Sequence, residues 1–372
     1  MKKIYLSSPT MHGDEMVFIQ EAFDSNWVAP LGKNVDEFEK GLAEYVGKSN
    51  GVALASGTAA LHLSYKLAGV TDGDVVFCSD LTFAATANPI SYENGVQVFI
   101  DSEKDTWNMC PVALEAAFKK YPNPKAVVLV HLYGVPAKID EIQAICQKHG
   151  VPLIEDAAES LGATYNGKQT GGFGEMSIVS FNGNKIITTS GGGMLLTDDE
   201  AEAKKATFWS TQARDPALHY QHSEIGYNYR MSNIVAGIGR GQLLHLDEHV
   251  AIKNRIYHKY KSAFADLPVK MNPYLEYSQP NFWLSCVTID ENCAIVPSQI
   301  IQALDEVGAE SRPIWKPMHM QPVFENRDFI SVSDKPVSAD IFARGLCLPS
   351  DIKMTEEQQD LIISTVRKCF DV

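Results

Sequence analysis

Ala126-Val127-Val128-Leu129-Val130-His131-Leu132, a periodic segment from Ile139 to Lys148, and Val151-Pro152-Leu153-Ile154-Glu155 form the stretch whose reading decides the fold. The first run is apolar and rich in β-branched residues, without polar alternation, which predicts a strand buried on both faces. The second predicts a helix stopped by Gly150, and the third another short strand. Working outward, Asp74 to Cys78 and Val96 to Ile100 predict strands, and Thr86 to Glu93 a helix. Pro111 to Lys120 predicts a helix with proline at its start. Gly57-Thr58 opens a helix from Ala59 to Leu67, and Ser177 to Phe181 and Met194 to Thr197 close the series as strands. Strands alternating with helices imply an α/β fold whose central sheet is mostly parallel and covered on both sides.

Beyond residue 233 the texture changes. Ile234 to Phe264 reads as one long helical stretch, followed by Pro268, Pro273 and Pro280. Phe282 to Ile289 predicts a strand, and Ser298 to Val307 and Thr355 to Phe370 predict helices. The expected organisation is a large domain, residues 1–245, and a smaller α+β domain, residues 246–372. A chain of 372 residues is long enough for two cores.

A net charge of −14 argues against a general nucleic-acid or membrane-surface binder, though a local cationic pocket remains compatible with it. The seven cysteines are odd in number, scattered, and without a Cys-x-x-Cys pair, which favours reduced thiols over a disulfide framework or a zinc site. His219 and His222 lack a partner that would complete a metal site, so no metal is expected. No signal-like or membrane-spanning apolar run is present, and the expected location is the cytoplasm.

Three short patterns carry chemistry. Ala55-Ser56-Gly57-Thr58-Ala59 is a small-residue turn opening a helix, which serves either as a plain cap or as a phosphate site built from free N–H groups. Asp156 ends a parallel strand, where such sheets bind ligands, and Glu159 follows three residues later. Lys185 lies in Ser180-Phe181-Asn182-Gly183-Asn184-Lys185, ahead of Gly191-Gly192-Gly193. A lysine in a Gly/Ser/Thr turn, one strand after an acid at a strand end, is what pyridoxal phosphate requires. The lysine carries the cofactor as a Schiff base and the acid holds the pyridine nitrogen protonated. Phe83 serves either as a ring-stacking residue or as a core phenylalanine. Asn228 and Arg230 precede a helix, where they either cap it or reach phosphates. Lys316 and His319 sit in an aromatic, cationic loop that either holds substrate or is only structural. There is no Gly-x-Gly-x-x-Gly and no Walker loop, which removes the main support for nicotinamide or ATP chemistry.

Together these motifs resemble the DegT/DnrJ/StrS family of nucleotide-sugar aminotransferases, within fold-type I of the pyridoxal phosphate enzymes. The resemblance runs over nearly the whole chain. It includes Asn26 to Gly32, Ser56 to Leu61, Asp80 to Thr86, His131 to Gly134, Glu155 to Glu159, the Lys185 segment, Asn228 to Met231 and Pro317 to Pro322. The resemblance implies Lys185 as Schiff-base lysine and proton carrier, Asp156 as pyridinium partner, and Glu159 as the contact to the phenolic oxygen. It implies Gly57, Thr58 and Ser180 at the phosphate and Phe83 over the ring. Asn228 would reach the phosphate of a neighbouring subunit in a homodimer. Arg230, Asn182, Lys316 and His319 would contact substrate. Relatives with histidine at the lysine position are dehydratases, so Lys185 favours transamination.

The implied reaction moves an amino group from L-glutamate to a 4-keto nucleotide sugar, by way of the pyridoxamine form of the cofactor. The Lys185 segment, Glu159 and His222 to Asn228 look most similar to enzymes acting on UDP-4-keto-6-deoxy-N-acetylglucosamine in bacillosamine-type routes. GDP-perosamine-type aminotransferases, acting on GDP-4-keto-6-deoxymannose, are the alternative. A fold-type I lyase or desulfurase, the latter needing a mobile catalytic cysteine, is the rival outside the family.

Overall fold

The computed structural model describes residues 3–371. Its centre is an eight-stranded sheet, taken from one edge as Asn50–Leu54, Gly193–Thr197, Met176–Ser180, Leu153–Asp156, Ala126–Val130, Val75–Ser79, Val96–Ile100 and Asp328–Ile330. The pairs from Met176–Ser180 onward are parallel, and the first two are antiparallel. This is the α/β, fold-type I architecture with a mostly parallel sheet.

Alternation along each strand explains why both faces are covered. Val76, Cys78, Val128 and Ile154 point into one core, with Leu61, Leu63 and Tyr65 of helix Gly57–Leu67. Their neighbours Phe77, Val127, Leu129 and Leu153 point into a second, with Leu114 and Phe118 of helix Pro111–Lys120 and Ile142 of helix Ile139–His149. Every residue of Ala126–Val130 is buried, as an uninterrupted apolar run requires. Gly150 ends the helix before the next strand at φ 65°, a left-handed conformation that glycine adopts without a Cβ penalty. Thr355 caps the last helix, Glu356–Lys368, in a reciprocal capping box with Gln358.

A second sheet of four strands, Val269–Met271, Ser285–Ile289, Gly345–Leu348 and Arg312–Pro313, lies in the C-terminal part with a core of its own around Tyr260, Leu304, Leu346 and Ile362. We propose residues 1–245 and 246–372 as the two domains, with Asp328–Ile330 crossing back to pair with Val96–Ile100 of the large sheet. No helix among the described residues is long and apolar enough to cross a membrane.

The structure corrects three sequence expectations. The stretch 234–264 is two helices, Asn233–Leu243 and Leu246–Ala263, broken where His245 leaves helical geometry at ψ 5°. The first packs against helix Asp14–Asp24 so closely that a Cβ on Gly241 would lie 2.6 Å from the Glu15 nitrogen. The second packs against the C-terminal sheet, so the chain must turn between them. The strand expected over 126–132 stops at Val130 and passes into a short 3-10 turn, Leu132–Gly134, with Tyr133 at φ 53°. Of 282–289, only Ser285–Ile289 is strand; Phe282 takes φ 47° and stacks on Tyr257 at 3.6 Å. Of these last two departures, the first places the Tyr133 N–H at the site and the second the Trp283 ring.

Candidate active site

At the carboxyl ends of the parallel strands lies a cavity of about 310 Å³. Asp156, the last residue of Leu153–Asp156, lines it, as does Lys185 from the connection between Met176–Ser180 and Gly193–Thr197. That connection is held by local bonds. Thr189 N–H donates to the Phe181 carbonyl at 3.0 Å, Thr188 Oγ1 donates to the same oxygen, and Lys185 N–H donates to Asn182 O at 3.0 Å. The glycines that follow let segments approach: a Cβ on Gly193 would lie 2.4 Å from the Gly57 nitrogen.

Neighbouring acids on one strand do different work because their side chains leave opposite faces. Glu155 is sealed inside. It accepts from the His131 ring at 2.9 Å and from the N–H groups of Gly171, Phe173 and Gly174 at 2.6 to 2.8 Å. Burial pushes its carboxyl up, but these donors outweigh it and hold it below the ordinary value. Asp156 faces the cavity. Its Oδ2 accepts from Thr86 Oγ1 at 2.7 Å and its Oδ1 from Ala158 N–H at 3.2 Å. Here burial wins and the carboxyl is raised. A buried acid with so few donors suits a cationic N–H from a ligand, which would restore the carboxylate.

Glu159 is also buried. Its Oε2 accepts from Tyr133 N–H at 2.6 Å, a donor presented by the 3-10 turn, and its Oε1 lies 3.5 Å from Lys185 Nζ. Burial pushes its carboxyl up to about 7, against the pull of the Lys185 charge and the Tyr133 N–H. Lys185 Nζ also sits 4.1 Å from the centre of the Trp283 ring. The Lys185 amine is thus held between a carboxyl and an aromatic face.

A candidate phosphate cradle lies alongside. Ser56 caps helix Gly57–Leu67 by accepting from Ala59 N–H at 3.0 Å, and the first-turn N–H groups of Gly57 and Thr58 have no intrahelical acceptor. A Cβ on Gly57 would lie 3.0 Å from Ser180 Cβ, so glycine keeps the helix end against the Ser180 hydroxyl. Thr58, Ser180 and Asn182 all line the cavity. Phe83, 57% exposed, stands at its rim beside Trp315, with ring centres 5.4 Å apart. A buried acid, an amine and a phosphate cradle in one cavity are the donor set that pyridoxal phosphate fits.

Four expected residues lie outside this cavity. Asn228 is exposed on a segment bridged to Thr211. Arg230 is turned inward, donating to Glu39 and to the Ala53 carbonyl at 3.2 Å. Lys316 does not line the cavity, and its carbonyl accepts from Gln321 Nε2 at 3.1 Å. His319 is engaged by Asp80, with Nδ1 2.7 Å from Oδ2, and stacks on Phe329 at 3.9 Å. Conversely, sequence reasoning missed Trp283, Trp315 and the Tyr133 N–H. Trp315 lies in the aromatic, cationic loop and Tyr133 in the segment His131 to Gly134, both noted in the sequence without these roles, whereas no local signal marks Trp283.

A profile of the DegT/DnrJ/EryC1/StrS aminotransferase family matches residues 9–367. The chain belongs to that family. Within it, the chain is 53% identical over 99% of its length, and 96% of the relative's, to the putative pyridoxal phosphate-dependent aminotransferase EpsN of Bacillus subtilis strain 168. It is 36% identical to the GDP-perosamine synthase of Caulobacter vibrioides, with 98% of both chains covered. Among solved structures, a DegT DnrJ EryC1 StrS aminotransferase from Brucella abortus superposes with a TM-score of 0.88 at 29% identity, covering 96% of this chain and 95% of that one. The chain is accordingly a pyridoxal phosphate-dependent sugar aminotransferase of that family.

Proposed function

We propose that this enzyme moves an amino group from L-glutamate to the 4-keto carbon of a nucleotide-linked 4-keto-6-deoxy sugar, with UDP-4-keto-6-deoxy-N-acetylglucosamine as the sugar and pyridoxal 5′-phosphate as cofactor. One observation carries the reading: Lys185 and Asp156 line a single cavity, with Glu159 3.5 Å from the lysine amine. When bound, the cofactor supplies an aldehyde that takes up an amine and a ring that accepts the electron pair left by a broken C–H bond. The protein does the rest. Asp156, oriented by Thr86, holds a proton on the ring nitrogen. Glu159, fixed by Tyr133 N–H, would contact the phenolic oxygen. Gly57, Thr58 and Ser180 hold the phosphate, and Phe83 covers the ring. Lys185 carries the proton between the donor carbon and the cofactor, because the same amine is released when a substrate amine takes its place.

Asn228 would complete the phosphate site from a second copy. Support for a homodimer comes from apolar residues left exposed on helix Asp14–Asp24 and after it, Met16, Val17, Phe23, Trp27, Val28 and Leu31, each at least 44% exposed. The UDP sugar is favoured by the Ser180 to Lys185 form, by Glu159 and by His222 to Asn228. The second reading, GDP-4-keto-6-deoxymannose, is favoured by the GDP-perosamine synthase among the relatives.

The test is a panel of 4-keto nucleotide sugars with glutamate. Turnover of the UDP sugar at least tenfold above the GDP sugar is expected, about 1.4 kcal/mol of discrimination. The reverse order would establish the second reading, and failure of both would end the proposal. Borohydride should fix the cofactor on Lys185, located by peptide mapping; a label on another lysine would overturn the assignment.

A further inference from the structure

Lys253, on helix Leu246–Ala263, is only 2% exposed. A buried ammonium is unfavourable unless acceptors surround it. No carboxylate among the described residues lies within ion-pair distance of it. Its Nζ instead donates to three oxygens from three distant segments: the Ser350 carbonyl at 2.8 Å, the Trp283 carbonyl at 2.9 Å and Ser7 Oγ at 3.4 Å. Burial pulls the amine down to about 7, with the Asp351 charge resisting.

Two of those partners converge again on one atom. The Asn184 carbonyl, one residue before Lys185, accepts from Ser7 Oγ at 2.9 Å and from Trp283 Nε1 at 2.6 Å. Trp283 also presents its ring to Lys185 Nζ at 4.1 Å. Past Lys185 the connection is tied at Ile186, whose carbonyl lies 2.7 Å from His249 Nδ1, and at Thr188, whose N–H donates to Gln242 Oε1 at 3.1 Å. Ahead of Lys185, the Asn184 carbonyl is held by two donors that share a single buried amine.

We propose that Lys253 is a positioning residue for Lys185: through Ser7 and Trp283 it fixes the Asn184 carbonyl, and with it the path of the chain that carries the reactive amine. This rests on the function proposed above. A plain structural tie between the helix and the C-terminal sheet would stabilise the fold but would not act on the Lys185 connection.

The experiment uses the full-length holoenzyme and the cofactor-free protein with Lys253→Met, Trp283→Phe and the double variant. Methionine keeps the apolar stem and removes the donors. Phenylalanine keeps a ring and removes the link to Asn184. We expect kcat to fall about 10²-fold in Lys253→Met while KM for each substrate stays within about twofold. In the cofactor-free protein, amide exchange across residues 182–190 should accelerate. The double variant should be no worse than the more damaged single variant, because both act on one carbonyl. Wild-type kcat, unchanged exchange at 182–190, or losses that multiply in full would each overturn the proposal. Should Lys253→Met fail to fold, Ser7→Ala and Trp283→Phe decide: faster exchange in both supports it, and wild-type exchange in both sinks it. Exchange needs no turnover, so a wild-type protein that labels away from Lys185 would overturn the functional reading alone.

Discussion

At the scale of single residues, the site works by setting two buried acids against one amine. Asp156 is raised by burial and depends on the Thr86 hydroxyl to keep an acceptor oxygen aimed at the cavity. Thr86→Val preserves shape and removes that donor. It should weaken cofactor retention by about 1.5–3 kcal/mol, the usual worth of a hydrogen bond to a charged group, measured as the cofactor dissociation constant. Glu159 gives a pH signature. Its carboxyl sits near 7 in the folded chain against an ordinary 4.5, so its stabilising contribution is full below pH 4.5 and is lost as pH rises through 7. The cofactor-free protein should therefore lose on the order of 2–3 kcal/mol between pH 4.5 and 7.5 relative to Glu159→Gln, whose carbonyl still accepts from Tyr133 N–H. Thermal unfolding of both proteins across that range measures it. Lys185→Ala should fold, bind cofactor without covalent fixation, and make no product, as assayed by chromatography of the sugar nucleotide.

At the scale of elements, the site is assembled where chain ends meet. The helix start at Gly57 is pressed against Ser180 and Gly193, so that backbone N–H groups and a hydroxyl share one small volume. Gly193→Ala would drive a Cβ against the Gly57 nitrogen and the Ser56 carbonyl group, none of which can yield as a flexible side chain would. A loss of about 1–3 kcal/mol in stability is expected from calorimetry, with weaker cofactor binding, as overpacking against backbone demands. Element identity was largely legible in the chain, because Pro111, Gly150 and the uninterrupted run at 126–130 are local signals. The broken helix at 244–245 was not. Its two halves keep helical composition throughout, and only their packing on different partners, helix Asp14–Asp24 for the first and the C-terminal sheet for the second, forces the turn.

At the scale of the whole molecule, the proposed homodimer would share each site between two chains. Asn228 is exposed outside its own cavity, and an apolar surface around helix Asp14–Asp24 is left uncovered. Mixing Lys185→Ala and Asn228→Ala chains should restore roughly a quarter of wild-type turnover, since half the dimers are mixed and each has one intact site. Two inactive homodimers with no recovery on mixing would mean that the site is not shared. What the sequence by itself determined is the chemistry: Asp156 at a strand end, Lys185 in a glycine-flanked turn and Gly57 at a helix start are set by residues within a few positions of each other. What only the tertiary structure decided is which distant groups close around them. Trp283 reaches Lys185, Tyr133 N–H reaches Glu159 and Lys253 reaches the back of the Lys185 connection because strand order and a crossover bring them there. Arg230 and His319 are drawn away, each by a carboxylate, Glu39 and Asp80, that no local pattern announces as its partner. Contacts over such separations depend on packing, which a run of neighbours along the chain does not encode.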